Sequence, residues 1–301
     1  SATLNISSIT SNNSTYTISG SPTSIIAGNS TTFNVTFSPI VSGVQNATIT
    51  INNNDCNEGI YNFDVTGNGT IPGAALNFDG LTTSVGDYVN IPDHASLDIT
   101  SAITVEAWIN ASVWKTNVSD GSIVCKHGRV PSGTGVRTGY VLRCGANGTL
   151  NFTIGGSTNS FPGATSPAEM LLNTWTHVAG VFDGSTIKVY INGVLKGSAP
   201  YIGTIVPNNY NLRIGNSDHY FSRAFQGEID EVRIWNRALC QQEIQNNMNC
   251  ELAGSQIGLI SYNKFNHGVA GQNNAGVTTL TDASGNNNHG TLTNFSLSGS
   301  T

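Results

Sequence analysis

Charge is scarce in this chain: Lys, Arg, Asp and Glu together make up 10% of 301 residues. Long amphipathic helices and coiled coils need a richly charged outer stripe, so this scarcity argues against both. Only twelve residues are Lys or Arg and the formal net charge is −6, which leaves no basic stripe for a nucleic-acid backbone. No run of eighteen apolar residues is present, so no helix is expected to cross a membrane. The first residues, Ser1-Ala2-Thr3, carry no basic-then-apolar leader, and the chain is expected to be soluble, either mature or excised from a longer one.

Other absences narrow the chemistry. The five cysteines, at 56, 125, 144, 240 and 250, include no Cys-x-x-Cys pair, and the six histidines form no His-x-x-x-His pair, which speaks against a zinc site. No Gly-x-Ser-x-Gly elbow places a serine nucleophile. What the chain has instead is 34 glycines and many short alternating runs, the mark of strands joined by tight turns. Its length exceeds a single small core, so two domains are expected.

The first seventy residues alternate in runs such as Thr31-Thr32-Phe33-Asn34-Val35-Thr36-Phe37 and Asn46-Ala47-Thr48-Ile49-Thr50-Ile51, which predicts a small antiparallel sandwich. Gly67-Asn68-Gly69-Thr70-Ile71-Pro72-Gly73 reads as a short boundary, placing the domains at 1–72 and 73–301. Further on, Asn192-Gly193 between two alternating runs predicts a type I′ hairpin. Gln241–Asn249 reads as one short helix. Flanking it, Cys240 and Cys250 are expected to close a disulfide worth roughly 2–3 kcal/mol, which would require an oxidising compartment. Cys125 and Cys144 lie in neighbouring strand-like runs and either pair across a sheet or stay as two buried thiols. Cys56 is then left over.

The run Phe225–Leu239 holds the sharpest feature. Read as a straight strand, it puts Glu228, Asp230, Val232 and Ile234 on one face and Ile229, Glu231 and Arg233 on the other. Asp230 would then enter an apolar layer, a costly placement without a cation or several donors. Trp108, Trp175 and Trp235 stand in strand patterns and are expected in the core.

Ala75-Leu76-Asn77-Phe78-Asp79-Gly80, Val105-Glu106-Ala107-Trp108-Ile109, Trp175-Thr176-His177-Val178-Ala179-Gly180-Val181-Phe182-Asp183-Gly184, Leu212-Arg213-Ile214-Gly215 and the Phe225–Leu239 run occur in one order. Together they resemble the laminin G-like, concanavalin A-like jelly-roll sandwiches, from about residue 73 to the C-terminus. Through Ile26-Ala27-Gly28-Asn29-Ser30-Thr31-Thr32-Phe33-Asn34-Val35-Thr36-Phe37 and Tyr61-Asn62-Phe63-Asp64-Val65-Thr66-Gly67-Asn68-Gly69, the first seventy residues resemble the Hydin-type immunoglobulin-like repeats of bacterial surface proteins. The expected fold is therefore all-β, an immunoglobulin-like β-sandwich followed by a concanavalin A-like jelly roll. Residues 251–301 would complete the jelly roll as permuted edge strands or open a following module.

The resemblance to concanavalin-like glycoside hydrolases invites comparison of Glu228-Ile229-Asp230-Glu231 with their acidic strand motif. Retaining enzymes need two carboxyls about 5 Å apart across the sugar bond. Here Val232 takes the partner's place on the face of Asp230, so no hydrolase activity is expected. The resemblance also implies a structural calcium, with candidate oxygens from Asp79, the Gly80 carbonyl, Asp230 and Asp282. For Asp79 and Asp230 the competing readings are an ordinary Asp-Gly turn and a backbone-capping carboxylate. For glycan binding, which needs exposed aromatics beside amides and carboxylates, the candidates are Trp114, Tyr201, Tyr210 and Phe221, and above all the loop carrying Asn216, Asp218, His219, Tyr220 and Arg223. The resulting expectation is an extracellular, secreted or cell-surface module for adhesion or recognition, whose partners are a glycan or neighbouring modules of the same long chain. The alternatives are a spacer in a bacterial surface filament and an accessory domain of a secreted hydrolase.

Overall fold

The computed structural model describes residues 3–37, 43–69, 75–81, 86–129, 136–156, 161–219, 222–268 and 273–297. The chain divides into two compact units, Ser1–Gly73 and Ala74–Thr301.

The first unit contains β1 (Leu4–Ser11), β2 (Tyr16–Ser19), β3 (Ser24–Ile25), β4 (Asn34–Phe37), β5 (Gly43–Asn53) and β6 (Ile60–Gly69). Its main sheet runs β3-β1-β5-β6, and β2 pairs with β4. All the pairings are antiparallel. The alternation read from the sequence appears as Ala47 and Ile49 pointing inward, with Tyr16 stacked on Phe37 at 4.7 Å between ring centroids. Gly67-Asn68-Gly69 does not interrupt a ladder as expected, because these residues end β6 opposite Gln45, Val44 and Gly43. Residues 70–73 of that expected boundary lie outside the described residues.

The second unit is a two-layer sandwich. Its strands are β7 (Leu76–Asp79), β8 (Tyr88–Ile91), β9 (Ile103–Ala111), β10 (Gly121–Arg129), β11 (Arg137–Gly145), β12 (Thr149–Ile154), β13 (Gly163–Thr165), β14 (Thr176–Phe182), β15 (Thr186–Ile191), β16 (Val194–Pro200), β17 (Leu212–Ile214), β18 (Gln226–Trp235), β19 (Leu259–Asn263), β20 (Thr279–Leu280) and β21 (Gly290–Thr293), joined by a 3-10 turn at Ala95–Leu97 and the α-helix α1 (Gln241–Asn247). One sheet runs β13-β12-β11-β10-β17-β8-β21-β20. The other runs β16-β15-β14-β9-β18-β19, with β7 also paired to β18. The last fifty residues belong to this unit: β19 pairs with β18, and β21 with β8.

The main core lies between the sheets. Ile103, Val105, Ala107 and Ile109 of β9 meet Tyr140, Leu142, Leu150, Phe152 and Ile214 of the facing sheet, all of them buried. A second, smaller core lies on the outer face of the seven-stranded sheet, where Trp235, Tyr190, Val181 and Tyr262 pack against Leu239 and Ile244 of the segment carrying α1. Trp108 and Trp175 are only half-buried, against the expectation that they join a core. The hairpin at Asn192-Gly193 forms as its turn chemistry predicts, with φ of 48° and 70° at the two central residues.

Neither expected disulfide is present, and all five cysteines are free thiols. Cys240 is exposed as the N-cap of α1, and Cys250 sets its thiol against the carbonyls of Asn246 and Asn247. Cys125 and Cys144 are kept apart by strand alternation. Cys125 pairs in register with Val141 while Cys144 pairs with Gly121 four residues away, and Cys144 faces the inter-sheet core whereas Cys125 does not.

Candidate functional site

The outer face of the eight-stranded sheet carries a row of polar side chains. Register sets this face. The partners of each core residue alternate with Tyr88 and Asn90 on β8, Arg213 on β17, Cys125 and His127 on β10, Val141 and Arg143 on β11, and Asn151 and Thr153 on β12. Unusually for an outer face, most of this row is shielded from water: His127, Arg143, Asn151, Thr153 and Arg213 are all buried. Phe161 and the loop after β17 lie across it.

Phe161 lies 4.2 Å from the His127 ring between centroids. The guanidinium carbons of Arg137 and Arg143 lie 4.9 Å and 5.6 Å from the centre of the same ring, within cation–π range. Arg143 is further fixed by its Nε, which donates to Asn151 Oδ1 at 2.8 Å, and Thr153 Oγ1 donates to that oxygen at 2.6 Å. At the other end, Arg213 lies 4.0 Å from the Tyr88 ring centre, and its Nη2 meets Asp218 Oδ1 at 2.7 Å. His219 packs edge-on to Tyr210 at 5.5 Å, and the Tyr210 hydroxyl donates to the Arg129 carbonyl at 2.7 Å.

Cations crowd this face. Burial, then the charges of Arg143, Arg223 and Arg137, push His127 far down, so its imidazole is neutral. Arg143 itself is lowered to about 10 by burial and by Arg223. His219 is lowered by burial and by Arg129 and Arg223. A neutral imidazole, a ring flanked by guanidinium groups, and amide and hydroxyl donors make a surface suited to sugar: the aromatic face takes ring C–H groups and the donors take oxygens.

The residues expected to bind a ligand divide between this face and its supports. Asp218, His219 and Arg223 lie at it. Asn216 is fully buried, and its Oδ1 accepts the Ser217 N–H at 2.7 Å, so it supports the loop from within. Tyr220 and Phe221 lie outside the described residues. Trp114 and Tyr201 are partly buried against the main core. The sequence reading missed Phe161, His127, Arg137 and Arg143. A sheet-face Arg between Leu142 and Cys144 reads only as a polar alternate, and no local signal marks it as a ligand residue.

The four oxygens expected to share a calcium are not gathered. Asp79 Oδ1 accepts the N–H groups of Leu81 and Asp87, while Asp87 Oδ2 accepts that of Asp79, a reciprocal turn clasp. The Gly80 carbonyl accepts Lys115 Nζ at 2.9 Å. Asp282 takes four donors, the N–H groups of Tyr262, Ser284 and Asn288 and the Ser284 hydroxyl, which makes it a backbone-capping carboxylate. Asp79 pairs with Gln226, four residues along β18 from Asp230, or about 13 Å at strand spacing. Among the described residues no three His, Cys, Asp or Glu side chains form a metal cluster.

Asp230 also faces the other way from the straight-strand reading. Trp108 lies opposite Asp230 and Glu106 opposite Arg233, so β18 spends three steps where β9 spends two. This is a β-bulge, and Glu231 supplies it with φ of 51°. The extra residue reverses the phase: Ile229, Val232 and Ile234 enter the core, while Asp230 lies opposite Trp108 on the outer side. There it is 1% exposed and its Oδ1 accepts the Glu231 N–H. Burial, then the neighbouring Glu231, raise it to about 8.

Around it, the most distinctive motif residues form a buried ionic latch. Glu106 accepts Trp235 Nε1 at 3.0 Å and lies 3.5 Å from His177 Nε2 and 3.8 Å from Arg233 Nη1. Although burial pushes Glu106 up, the His177 bond and the Arg233 charge hold it below the usual carboxylate range. Arg233 also pairs with Glu231 and donates to the carbonyls of Asn247 and Cys250 at 2.8 Å and 2.7 Å. Trp108 Nε1 donates to the Met248 carbonyl at 2.7 Å. The network therefore clamps the segment after α1 onto the sheet. It also covers Asp230 and Glu231, which do not face each other across an open cleft.

This architecture is that of a jelly-roll lectin-type sandwich. The chain belongs to the concanavalin A-like lectin/glucanases superfamily, whose family description matches residues 82–245. No curated protein sequence matches it. Among solved structures, a Bacteroides ovatus protein provisionally described as carbohydrate-binding is similar over 100% of this chain and 88% of its own, with a TM-score of 0.58 and 20% identity. A CBM40 of a Ruminococcus gnavus sialidase, solved bound to α2,3-sialyllactose, covers 57% of this chain and 95% of its own at a TM-score of 0.44 and 14% identity. Domain 4 of an extracellular arabinanase from Geobacillus stearothermophilus, in complex with arabinotriose, covers 57% and 75% at a TM-score of 0.43 and 22% identity. At these identities the likeness speaks to fold.

Proposed function

We propose that the second unit is a non-catalytic glycan-binding module acting in adhesion or recognition outside the cell, with the first unit an immunoglobulin-like spacer. The observation that carries this reading is the outer face of the eight-stranded sheet, where Phe161, Tyr210, His219 and Tyr88 stand among fixed guanidinium and amide donors. Such a mixture of aromatic faces and oriented donors is what sugar recognition uses. The sealing of Asp230 and Glu231 under the segment after α1 supports a non-catalytic role, because glycoside hydrolysis needs its carboxyls open to the substrate.

The test is a glycan array probed with the whole chain and with Phe161→Ala. Binding to a defined set of glycans that Phe161→Ala reduces at least tenfold, at unchanged thermal midpoint, is the expected result. An array with no bound glycan would overturn the reading, as would binding indifferent to Phe161→Ala.

A further inference from the structure

Arginine is distributed very unevenly in this acidic protein. Of its seven arginines, five (Arg129, Arg137, Arg143, Arg213 and Arg223) lie on or at the rim of the outer face of the eight-stranded sheet, although the chain as a whole carries −6. Among the described residues, two carboxylates are set near Arg213 and Arg143. Asp218 pairs with Arg213, and Asp120 acts on Arg143 only through longer-range charge. Arg137 is half-buried with its guanidinium over Phe161 and meets no carboxylate within ion-pair distance among the described residues. Placing several guanidinium groups together under partial burial is costly, and an arriving anion relieves that cost.

Two further atoms lack partners. Ser122 Oγ lies cross-strand from Arg143 and is 1% exposed; Asn216 Nδ2 is fully buried in the loop that follows β17. Neither has a hydrogen-bond partner among the described residues. Both lie beneath the face, out of a ligand's reach, so the case for a ligand rests on the arginines above them.

Building on the glycan-binding reading, we infer that this face selects acidic saccharides, with the sugar's oxyanion held by Arg137 and Arg143 beside the Phe161 ring and by Arg223 at the rim. The planar guanidinium fork matches a carboxylate or a sulfate ester in two-point contact, and the Phe161 ring steadies the two arginines for it. The −6 net charge makes the assignment more pointed. A globally acidic protein repels acidic polymers everywhere except where its own positive charge is concentrated, so specificity for the site is gained at the cost of slower encounter.

The test is isothermal titration of the whole chain with trigalacturonate and with the matched neutral galactose trisaccharide, which differ in carboxylate against hydroxymethyl at C6. An array of sialylated, uronate-bearing and sulfated glycans separates the two sources of oxyanion. The expected result is at least tenfold tighter binding of an acidic glycan than of its neutral counterpart, falling severalfold from low to high salt as charge screening predicts. Arg137→Gln should lose about tenfold for the acidic ligand, the scale of one charge-assisted bond, and clearly less for the neutral sugar, which has no charge for Arg137 to meet. Arg137→Lys should recover only part of that loss. A circular dichroism spectrum and thermal midpoint like the parent's show that each variant is folded.

Equal binding of acidic and neutral sugars would overturn the inference while leaving the glycan-binding reading in place. So would an equal loss of both ligands in a folded Arg137→Gln. Failure to bind any sugar, acidic or neutral, would overturn both.

Discussion

Asp230→Asn is the substitution that most directly separates two accounts of the same residue. In the structure Asp230 is 1% exposed beside Glu231 and raised to about 8. An unfolded chain returns it to the ordinary aspartate value near 3.9. Between about pH 4 and pH 8 the unfolded state has therefore released this proton while the folded state keeps it. The folded state binds more protons, so stability falls as pH rises through that window and the loss is complete above about pH 8. At roughly 1.4 kcal/mol per pH unit, the change between pH 4 and pH 7 has an upper bound of about 4 kcal/mol, and relaxation around a charged carboxylate brings the expected effect to about 1–3 kcal/mol. Asparagine carries no proton to lose and its Oδ1 can still accept the Glu231 N–H.

Asp230→Asn should therefore be more stable than the parent by about 1–3 kcal/mol at pH 8, with the advantage shrinking towards pH 4. The assay is urea unfolding at four pH values followed by tryptophan fluorescence, which reports the second unit alone because all four tryptophans lie in it. Taking the difference between variant and parent cancels the other titrating groups. A variant that is less stable at every pH, or a difference that does not change with pH, would refute the reasoning. The calcium expectation predicts the opposite sign: a ligand lost by Asp230→Asn destabilises the metal-loaded protein, and a chelator abolishes the difference.

Arg233→Met should cost about 3–5 kcal/mol, because it leaves Glu106 and Glu231 buried without their cation and frees the carbonyls of Asn247 and Cys250; urea unfolding measures it, and a loss under 1 kcal/mol would show that the latch is dispensable. Without reductant, a thiol-reactive dye should modify the exposed Cys56 and Cys240 in the native protein, reach the buried Cys125 and Cys144 only on unfolding, and finally label all five, as intact mass reads. Burial raises the Cys144 thiol to about 12, which reinforces its inertness; fewer than five labels after unfolding would mean a disulfide is present after all. Gly193→Ala should destabilise by about 1–2 kcal/mol, since φ there is 70° and the added Cβ would fall 2.6 Å from Gln245 Cγ; an unchanged thermal midpoint would contradict the hairpin geometry.

What the sequence made legible was whatever depends on local chemistry. Asn192-Gly193 dictates its turn because few other pairs accept positive φ twice, and α1 follows from the break in alternation after Trp235. The bulge was also written there, though less plainly. Ile229, Val232 and Ile234 are spaced three and then two, and an odd interval between core residues of one strand can be reconciled only by an inserted residue. Reading the run as straight reversed the faces of Asp230 and made a residue held under a strap look like a charge driven into the inter-sheet core. The Cys125–Cys144 link failed on the same arithmetic, for residues in neighbouring strands pair only when register and parity both agree.

The candidate binding face was harder to see for a different reason. Alternation tells which side of a strand faces the main core, but it assigns the other side to solvent by default. In this sandwich both broad faces are covered, one by the segment after α1 and the other by Phe161 and the loop after β17. Arg143 between Leu142 and Cys144, and Glu106 between Val105 and Ala107, therefore look like ordinary surface residues of a half-buried strand, yet both are buried. What distinguishes them is only where their partners come from. Glu106 meets His177 and Arg233 from the two strands that flank it and is balanced on the spot. Arg143 meets other arginines brought in by β11 and by the loop after β17, and is not. A covered face whose charges cancel is a clamp. One whose charge is mostly positive, with Asp218 the carboxylate in ion-pair contact there among the described residues, keeps a net positive field, and this difference between the two sides of a single fold is the ground on which the proposed recognition rests.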